Sequence, residues 1–238
     1  MTAKGDVQAL LFDVFGTVVD WRSSIIDELT RFGAGKGIAA DWAEFTDDWR
    51  RLYQPAMEEV RSGRRAWTIL DVLHRESLDT LLAKYNIAGL SEAEKDHINR
   101  VWHRLKPWPD AVDGLTRLKK RYIIGTLSNG NVGLLTRMAK NAGLPWDVVL
   151  GAETARAYKP LPQAYLASAA LLNLEPGQVM LVAAHNGDLA AAAAVGLRTA
   201  FVARPTEHGP HQKVDFKADR DWDVMADSFG GVASAMGC

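Results

Sequence analysis

VQALLFDVFGTVVD, residues 7–20, holds a short apolar run that stops at a carboxylate. Val7 to Phe12 reads as a buried strand of a parallel sheet, because such strands are short and nearly continuous in apolar residues. Asp13 stands at its end, with Gly16 and Thr17 just beyond. A carboxylate there lies where backbone N–H groups turn toward a ligand, so those donors serve to hold it ionised or to bind a substrate anion. It is also a potential nucleophile, splitting one hard displacement into two easier steps. The plainer alternative is an aspartate that caps a helix or closes a turn.

Working outward, Ile123 to Leu127, Val148 to Gly151, Val179 to Ala183 and Thr199 to Ala203 share that strand character. Helical stretches fall between them, at 111–120, 131–142, 161–172 and 187–195. Strands alternating with helices imply an α/β fold, a Rossmann-like doubly wound parallel sheet. Ligands bind such sheets at the carboxyl ends of the strands. Asp13, Ser128, Lys159 and Asp188 all follow strand-like segments or lie in the connections after them.

Residues 21–105 carry almost no strand signal. Trp42, Phe45, Trp49, Leu52, Tyr53, Met57 and Val60 recur at helical spacing, and Pro55 is expected to kink or split that helix. Ala66 to Tyr85 and Glu92 to Leu105 also read as amphipathic helices. The expected organisation is a core of residues 1–20 and 106–238 with a helical cap of 21–105 inserted after the first strand. Lys106-Pro107-Trp108-Pro109 breaks helix and returns the chain to the core. The alanine run at 190–195 favours close packing of a helix on the sheet.

Composition narrows the function classes. The 238 residues suit one α/β domain with an insertion; 47% hydrophobic and 24% charged is ordinary globular content. A net charge of −1 gives no bulk attraction to nucleic acid or to an anionic membrane. Cys238 is the single cysteine, so neither an internal disulfide nor a cysteine metal cluster is expected. The first residues, MTAKGDVQALLFD, lack a signal-peptide stretch, and no segment reaches the roughly 18 apolar residues of a membrane span. A cytoplasmic protein acting on a small molecule is expected.

Three later loops join Asp13. Ser128 and Asn129 offer neutral donors after a strand, or else cap the helix beginning near Asn131. Lys159, its backbone restricted by Pro160, offsets the repulsion of neighbouring carboxylates, or else is an exposed surface lysine. Asp188 positions a water, or else is a helix N-terminal acid. His185, three residues before it, is a candidate proton carrier or hydrogen-bond donor.

These four loops, in order, resemble the four motifs of the haloacid dehalogenase-like hydrolases, and the resemblance covers nearly the whole chain. Most phosphatases of that superfamily carry a second aspartate two residues after the nucleophile, where this chain has Phe15. They also bind Mg²⁺ through paired acids in the fourth motif, where this chain has His185-Asn186-Gly187-Asp188. The pattern therefore looks like the (S)-2-haloacid dehalogenase branch, whose halide leaves without a proton. The resemblance implies Asp13 as nucleophile, an aspartyl ester, inversion at the carbon and release of a 2-hydroxy acid. Alignment of reactants in such a site lowers the barrier by roughly 7–11 kcal/mol.

The resemblance also implies roles residue by residue. Ser128 and Lys159 match groups that hold the substrate carboxylate and the nucleophile. Asn129 matches a halide-side donor, and Arg50 the cap arginine that receives the halide, with Arg51 its non-functional neighbour. Tyr165 matches an active-site tyrosine, Thr17 the hydroxyl after the nucleophile, and Asp188 the acid that positions water. Val14 and Phe15 join the substrate-binding set. No metal and no cofactor are implied; a homodimer is a candidate assembly because dimers are common in this family. Ala183 and His185 replace the serine and asparagine of better-known members. Two roles are open for His185: assisting water, or donating to a halide, the latter bearing on fluoroacetate as a substrate. Gly187 replaces a bulky aromatic and is expected to leave a gap or a mobile loop. The rivals are a Mg²⁺-dependent small-molecule phosphatase and a non-catalytic binding protein on a degenerate hydrolase core.

Overall fold

A computed structural model describes residues 6–238. Met1–Gly5, part of the stretch read above as lacking a signal peptide, lie outside the described residues. Six parallel strands form the main sheet: β1 (Ala9–Phe12), β4 (Ile123–Ser128), β5 (Val148–Gly151), β6 (Val179–Ala183), β7 (Arg198–Val202) and β8 (Val224–Ala226). Their order is β5-β4-β1-β6-β7-β8. Strand order reverses between β1 and β6, and a crevice opens outside the strand ends at such a switch point. Phe12 pairs with both Thr126 and Val182 in register. The ends of these three strands therefore lie level, and Asp13 emerges between the loops that follow β4 and β6.

Alternation along β1 feeds two apolar layers. Leu10 and Phe12 join one cluster, Ala9 and Leu11 the other, and all four are fully buried. Burying such a leucine contributes about 1.5–3 kcal/mol. The helices flanking the sheet are α5 (Ala111–Lys119), α6 (Val132–Ala142), α7 (Ala152–Ala155), α8 (Pro162–Leu171), α9 (Asn186–Ala194) and α10 (Phe229–Ala235). Within the alanine run only Ala192 is fully buried, while Ala193 and Ala194 face solvent.

Between β1 and β4 the chain is helical: α1 (Trp21–Lys36), α2 (Trp42–Arg61), α3 (Leu70–Lys84), α4 (Glu92–Asn99) and a 3₁₀ turn at Arg100–His103. Asp41 caps α2 by accepting from the Glu44 N–H at 2.9 Å. Trp42, Phe45, Trp49, Tyr53 and Met57 form its buried face. Of the kink or split expected at Pro55, the split does not occur, since one helix runs through it. It sits on the exposed face, while Trp49, Tyr53 and Met57 anchor both sides of it. The next two helices are shorter than expected, α3 beginning at Leu70 and α4 ending at Asn99.

Two features were not legible. Val19–Asp20 and Lys106–Pro107 (β2 and β3) pair antiparallel and tie together the two ends of the helical segment. Strand β8 is three residues long and follows a polar stretch. Neither is long enough to carry a periodic signal. Among the described residues no helix is long and apolar enough to cross a membrane.

Gly151 has φ +138°, and a Cβ there would lie 2.1 Å from the Ser128 carbonyl oxygen and 2.6 Å from its nitrogen. Gly151→Ala is expected to destabilise by about 2–5 kcal/mol, combining backbone strain with overpacking. A fall in the urea midpoint without a change of slope checks this; an unchanged midpoint contradicts it.

Candidate active site

Asp13 is 6% exposed. Its N–H continues the sheet by donating to the Val182 carbonyl at 3.1 Å. Thr17, one turn on, donates its hydroxyl to Asp13 Oδ2 at 2.7 Å. The direction of that bond is fixed, because Thr17 Oγ1 accepts from the Ala184 N–H at 2.9 Å. Lys159 Nζ donates to Asp13 Oδ1 at 2.9 Å and also to Asp188 Oδ2. Asp188 Oδ1 accepts from the Tyr165 hydroxyl at 2.6 Å. The surface reading of Lys159 is thus excluded, since its side chain is only 8% exposed. Asp188 is an acid in the first turn of α9, yet its carboxylate belongs to this cluster.

His185 lies between two carboxylates. Its Nδ1 is 3.1 Å from Asp13 Oδ2 and its Nε2 is 2.9 Å from Glu207 Oε2. Ionised carboxylates only accept hydrogen bonds, so both ring nitrogens must carry protons and the ring is an imidazolium. Burial disfavours this cation, but Glu207 and Asp13 outweigh it and raise its pKa well above the ordinary histidine value. Burial likewise disfavours the Asp13 anion, but the Lys159 charge and the His185 hydrogen bond hold its carboxyl far below the usual range. Lys159 is held charged by Asp13 and Asp188 against its own burial. With both nitrogens engaged, His185 has neither a lone pair for water nor a free donor for a halide in this arrangement.

The cluster opens into a cavity of about 690 Å³. Asp13, Phe15, Asn129, Lys159, Tyr165, His185 and Asp188 line it from the sheet side, and Arg50 and Tyr53 line it from α2. Arg50 lies over the rings of Tyr53 and Trp21, at 4.3 and 5.2 Å, and its Nη1 is buried with no hydrogen-bond partner among the described residues. Arg51 instead pairs with Asp48 and Glu44 on the outer surface. Phe15 meets the helices edge-on, 5.7 Å from Trp102 and 6.4 Å from Tyr53.

Three expected substrate contacts lie outside the cavity lining. Val14 is fully buried and its carbonyl accepts from Val18 and Val19. Thr17 is spent on Asp13. Ser128 Oγ accepts from the Gly130 N–H at 3.2 Å, which shapes the turn that lets Asn129 Oδ1 accept from the Lys159 N–H at 2.9 Å. Neither Ser128 nor Asn129 caps α6; Glu153 accepts from the Val132 N–H instead, at 2.6 Å. Gly187 lines the cavity and leaves open space, since a Cβ there would meet nothing within 4 Å. Glu207 was not singled out as a site residue; it follows no strand directly and stands in a polar segment. Of Trp21, Trp49, Trp67 and Tyr53, four aromatics that the sequence offered either to a small pocket under the cap or to core packing, Tyr53 lines the cavity.

A family model, haloacid dehalogenase-like hydrolase, matches residues 7–196. The chain is 50% identical to a solved defluorinating L-2-haloacid dehalogenase, covering 98% of this chain and 96% of that one, with a TM-score of 0.95. It is 48% identical to a second solved L-2-haloacid dehalogenase, covering 97% and 98%, with a TM-score of 0.94. It is 29% identical to the (S)-2-haloacid dehalogenase of Xanthobacter autotrophicus over 83% of this chain and 76% of that one. The chain belongs to the haloacid dehalogenase-like hydrolases.

Asp13 and His185 act at opposite ends of the pH scale. Asp13, with a depressed pKa, contributes stability that is present above the unfolded carboxylate range near ~4 and is lost as pH falls below it. His185, with a raised pKa, contributes stability that is present below ~6.5 and is lost as pH rises through its elevated folded value. Melting temperature against pH is expected to fall less steeply on the acid side in Asp13→Asn than in the wild type. Parallel acid limbs would contradict the ionised, buried Asp13.

Proposed function

We propose that this protein hydrolyses the carbon–halogen bond of short (S)-2-haloalkanoic acids, fluoroacetate included, through an ester on Asp13. One observation carries the reading: an ionised Asp13 faces the cavity, while the residue two places on is Phe15, which has no proton to give. A leaving group that departs as a stable anion needs none. The kinship with (S)-2-haloacid dehalogenases, and with a relative named as defluorinating, supports the same substrate class.

The hydrogen bonds assign the two oxygens of the nucleophile. Oδ2 accepts from Thr17 and His185, whereas among the described residues Oδ1 accepts only from Lys159, so Oδ1 keeps a free lone pair. Oδ1 attacks the halogen-bearing carbon, the carbon–halogen bond breaks, and the halide leaves with the bonding pair. The free Nη1 of Arg50 and the amide of Asn129 receive it; a planar guanidinium offers several donors without losing its charge. Fluoride gains most from such donors. Water, positioned by Asp188, then adds to Cγ of Asp13. The Cγ–Oδ1 bond breaks beside Lys159, the alkoxide takes a proton, and a 2-hydroxy acid and one further proton are released. In this reading residues 21–105 form a cap that supplies Arg50 and Tyr53 to the cavity.

Halide release from 2-chloropropionate and fluoroacetate in EDTA tests the proposal. Phosphatase activity restored by Mg²⁺ with no halide released would overturn it, and no turnover of any haloacid would favour a binding protein. Asp13→Asn is expected to abolish turnover with the fold intact. Single turnover in ¹⁸O-water is expected to label Asp13; label confined to the product would mean direct attack of water on the substrate. Arg50→Lys is expected to lower kcat roughly 10- to 100-fold, and Arg51→Lys to leave it within about twofold. The reverse ranking would remove Arg50 from the halide side.

A further inference from the structure

Glu207 lies beyond the residues matched by the family model, yet it is 1% exposed and carries no role in the reaction described so far. Its Oε2 faces His185 Nε2 at 2.9 Å, and its Oε1 accepts from the Trp21 indole N–H at 3.0 Å. The close approach has a signature in the first motif. Gly16 has φ +85°, and a Cβ there would lie 2.0 Å from Glu207 Oε1. The segment carrying Glu207 is tied to the same turn, because Arg204 Nε donates to the Thr17 carbonyl at 2.9 Å. Gly16 thus leaves the space in which a carboxylate is pressed against the back of the nucleophile loop.

We propose that Glu207 is a positioning residue for hydrolysis of the aspartyl ester: it fixes His185 as a double donor, so that Thr17 and His185 together form an oxyanion hole on Asp13 Oδ2. The inference rests on the ester mechanism above. In the ester, Oδ1 carries the substrate carbon and Oδ2 is the carbonyl oxygen. When water adds to Cγ, the C=O π electrons move onto Oδ2, where the Thr17 hydroxyl and the His185 Nδ1–H already point. Collapse restores the C=O bond and expels Oδ1 as the alkoxide beside Lys159. Preorganised donors at such an oxygen stabilise the charge that develops in the transition state. The charge on the ring strengthens this hole, and Glu207 is the group that keeps the charge there when esterification removes the anion of Asp13. The titratable groups around the ring are Asp13 from the end of β1, Glu207 and His208 from the segment after β7, and Arg50 from α2, with Lys159 and Asp188 one step beyond Asp13; burial favours the neutral form of His208.

Glu207→Gln removes the charge at constant shape. Quenched-flow measurement is expected to show a halide burst of one equivalent per active site, followed by turnover reduced roughly 10- to 100-fold. Intact-mass analysis is expected to find the ester accumulated, and turnover in the variant is expected to decline through the ordinary imidazole range near ~6.5, where the wild type is flat. The wild type provides an arm that needs no variant: ¹⁵N NMR is expected to show both His185 nitrogens protonated above neutral pH. A singly protonated His185 in the wild type overturns the proposal. So does a variant in which burst and turnover fall together, or one in which turnover is unchanged. Label confined to the product in the ¹⁸O-water single turnover overturns the ester mechanism itself, and this assignment with it.

Discussion

A carboxylate buried to 6% exposure is costly to leave charged unless donors and opposite charges surround it. Asp13 meets that condition through Lys159, His185 and Thr17, and each partner raises a demand of its own. Lys159 is as deeply buried and needs a second anion, supplied by Asp188, which Tyr165 holds in turn. His185 needs a second acceptor, supplied by Glu207, which Trp21 holds from α1. Signs alternate along the chain Asp188, Lys159, Asp13, His185, Glu207. Removing any interior member leaves a like pair or a bare charge in a low-dielectric site.

The helical segment packs aromatic side chains against the nucleophile loop. Phe15 leaves the nucleophile loop and inserts edge-on among Trp102, Tyr53 and His74. His74 stacks on Trp102 with centroids 4.2 Å apart, and burial lowers its pKa to about 3, so it stays neutral. Polar cross-links hold these helices to the sheet side. Asp71 accepts from the Asn131 amide at 3.0 Å, and Arg61 donates to the Lys159 carbonyl at 2.8 Å. Phe15 thus ties the nucleophile loop to the helices, at a position where an acid would otherwise reach a leaving group.

The sequence alone determined the α/β alternation and the strand that ends at Asp13. It also determined the helical insertion, whereas Arg50 rather than Arg51 was implied by the resemblance. The alternation, the strand and the insertion are local signals: apolar runs and 3.6-residue periodicity. The placement of Ser128, Lys159 and Asp188 near Asp13 was also legible, because a parallel sheet gathers its carboxyl-end loops at one edge. What only the tertiary structure decided is who partners whom. Glu207 is 194 positions from Asp13 in the chain, yet its carboxylate sets the protonation of a histidine that touches Asp13. Both nitrogens of His185 face carboxylates, a pairing that its position in the chain does not announce. Ser128 and Thr17 proved to brace the site from behind its wall. Electrostatic coupling depends on distance in space, and no pattern of spacing along a chain encodes it.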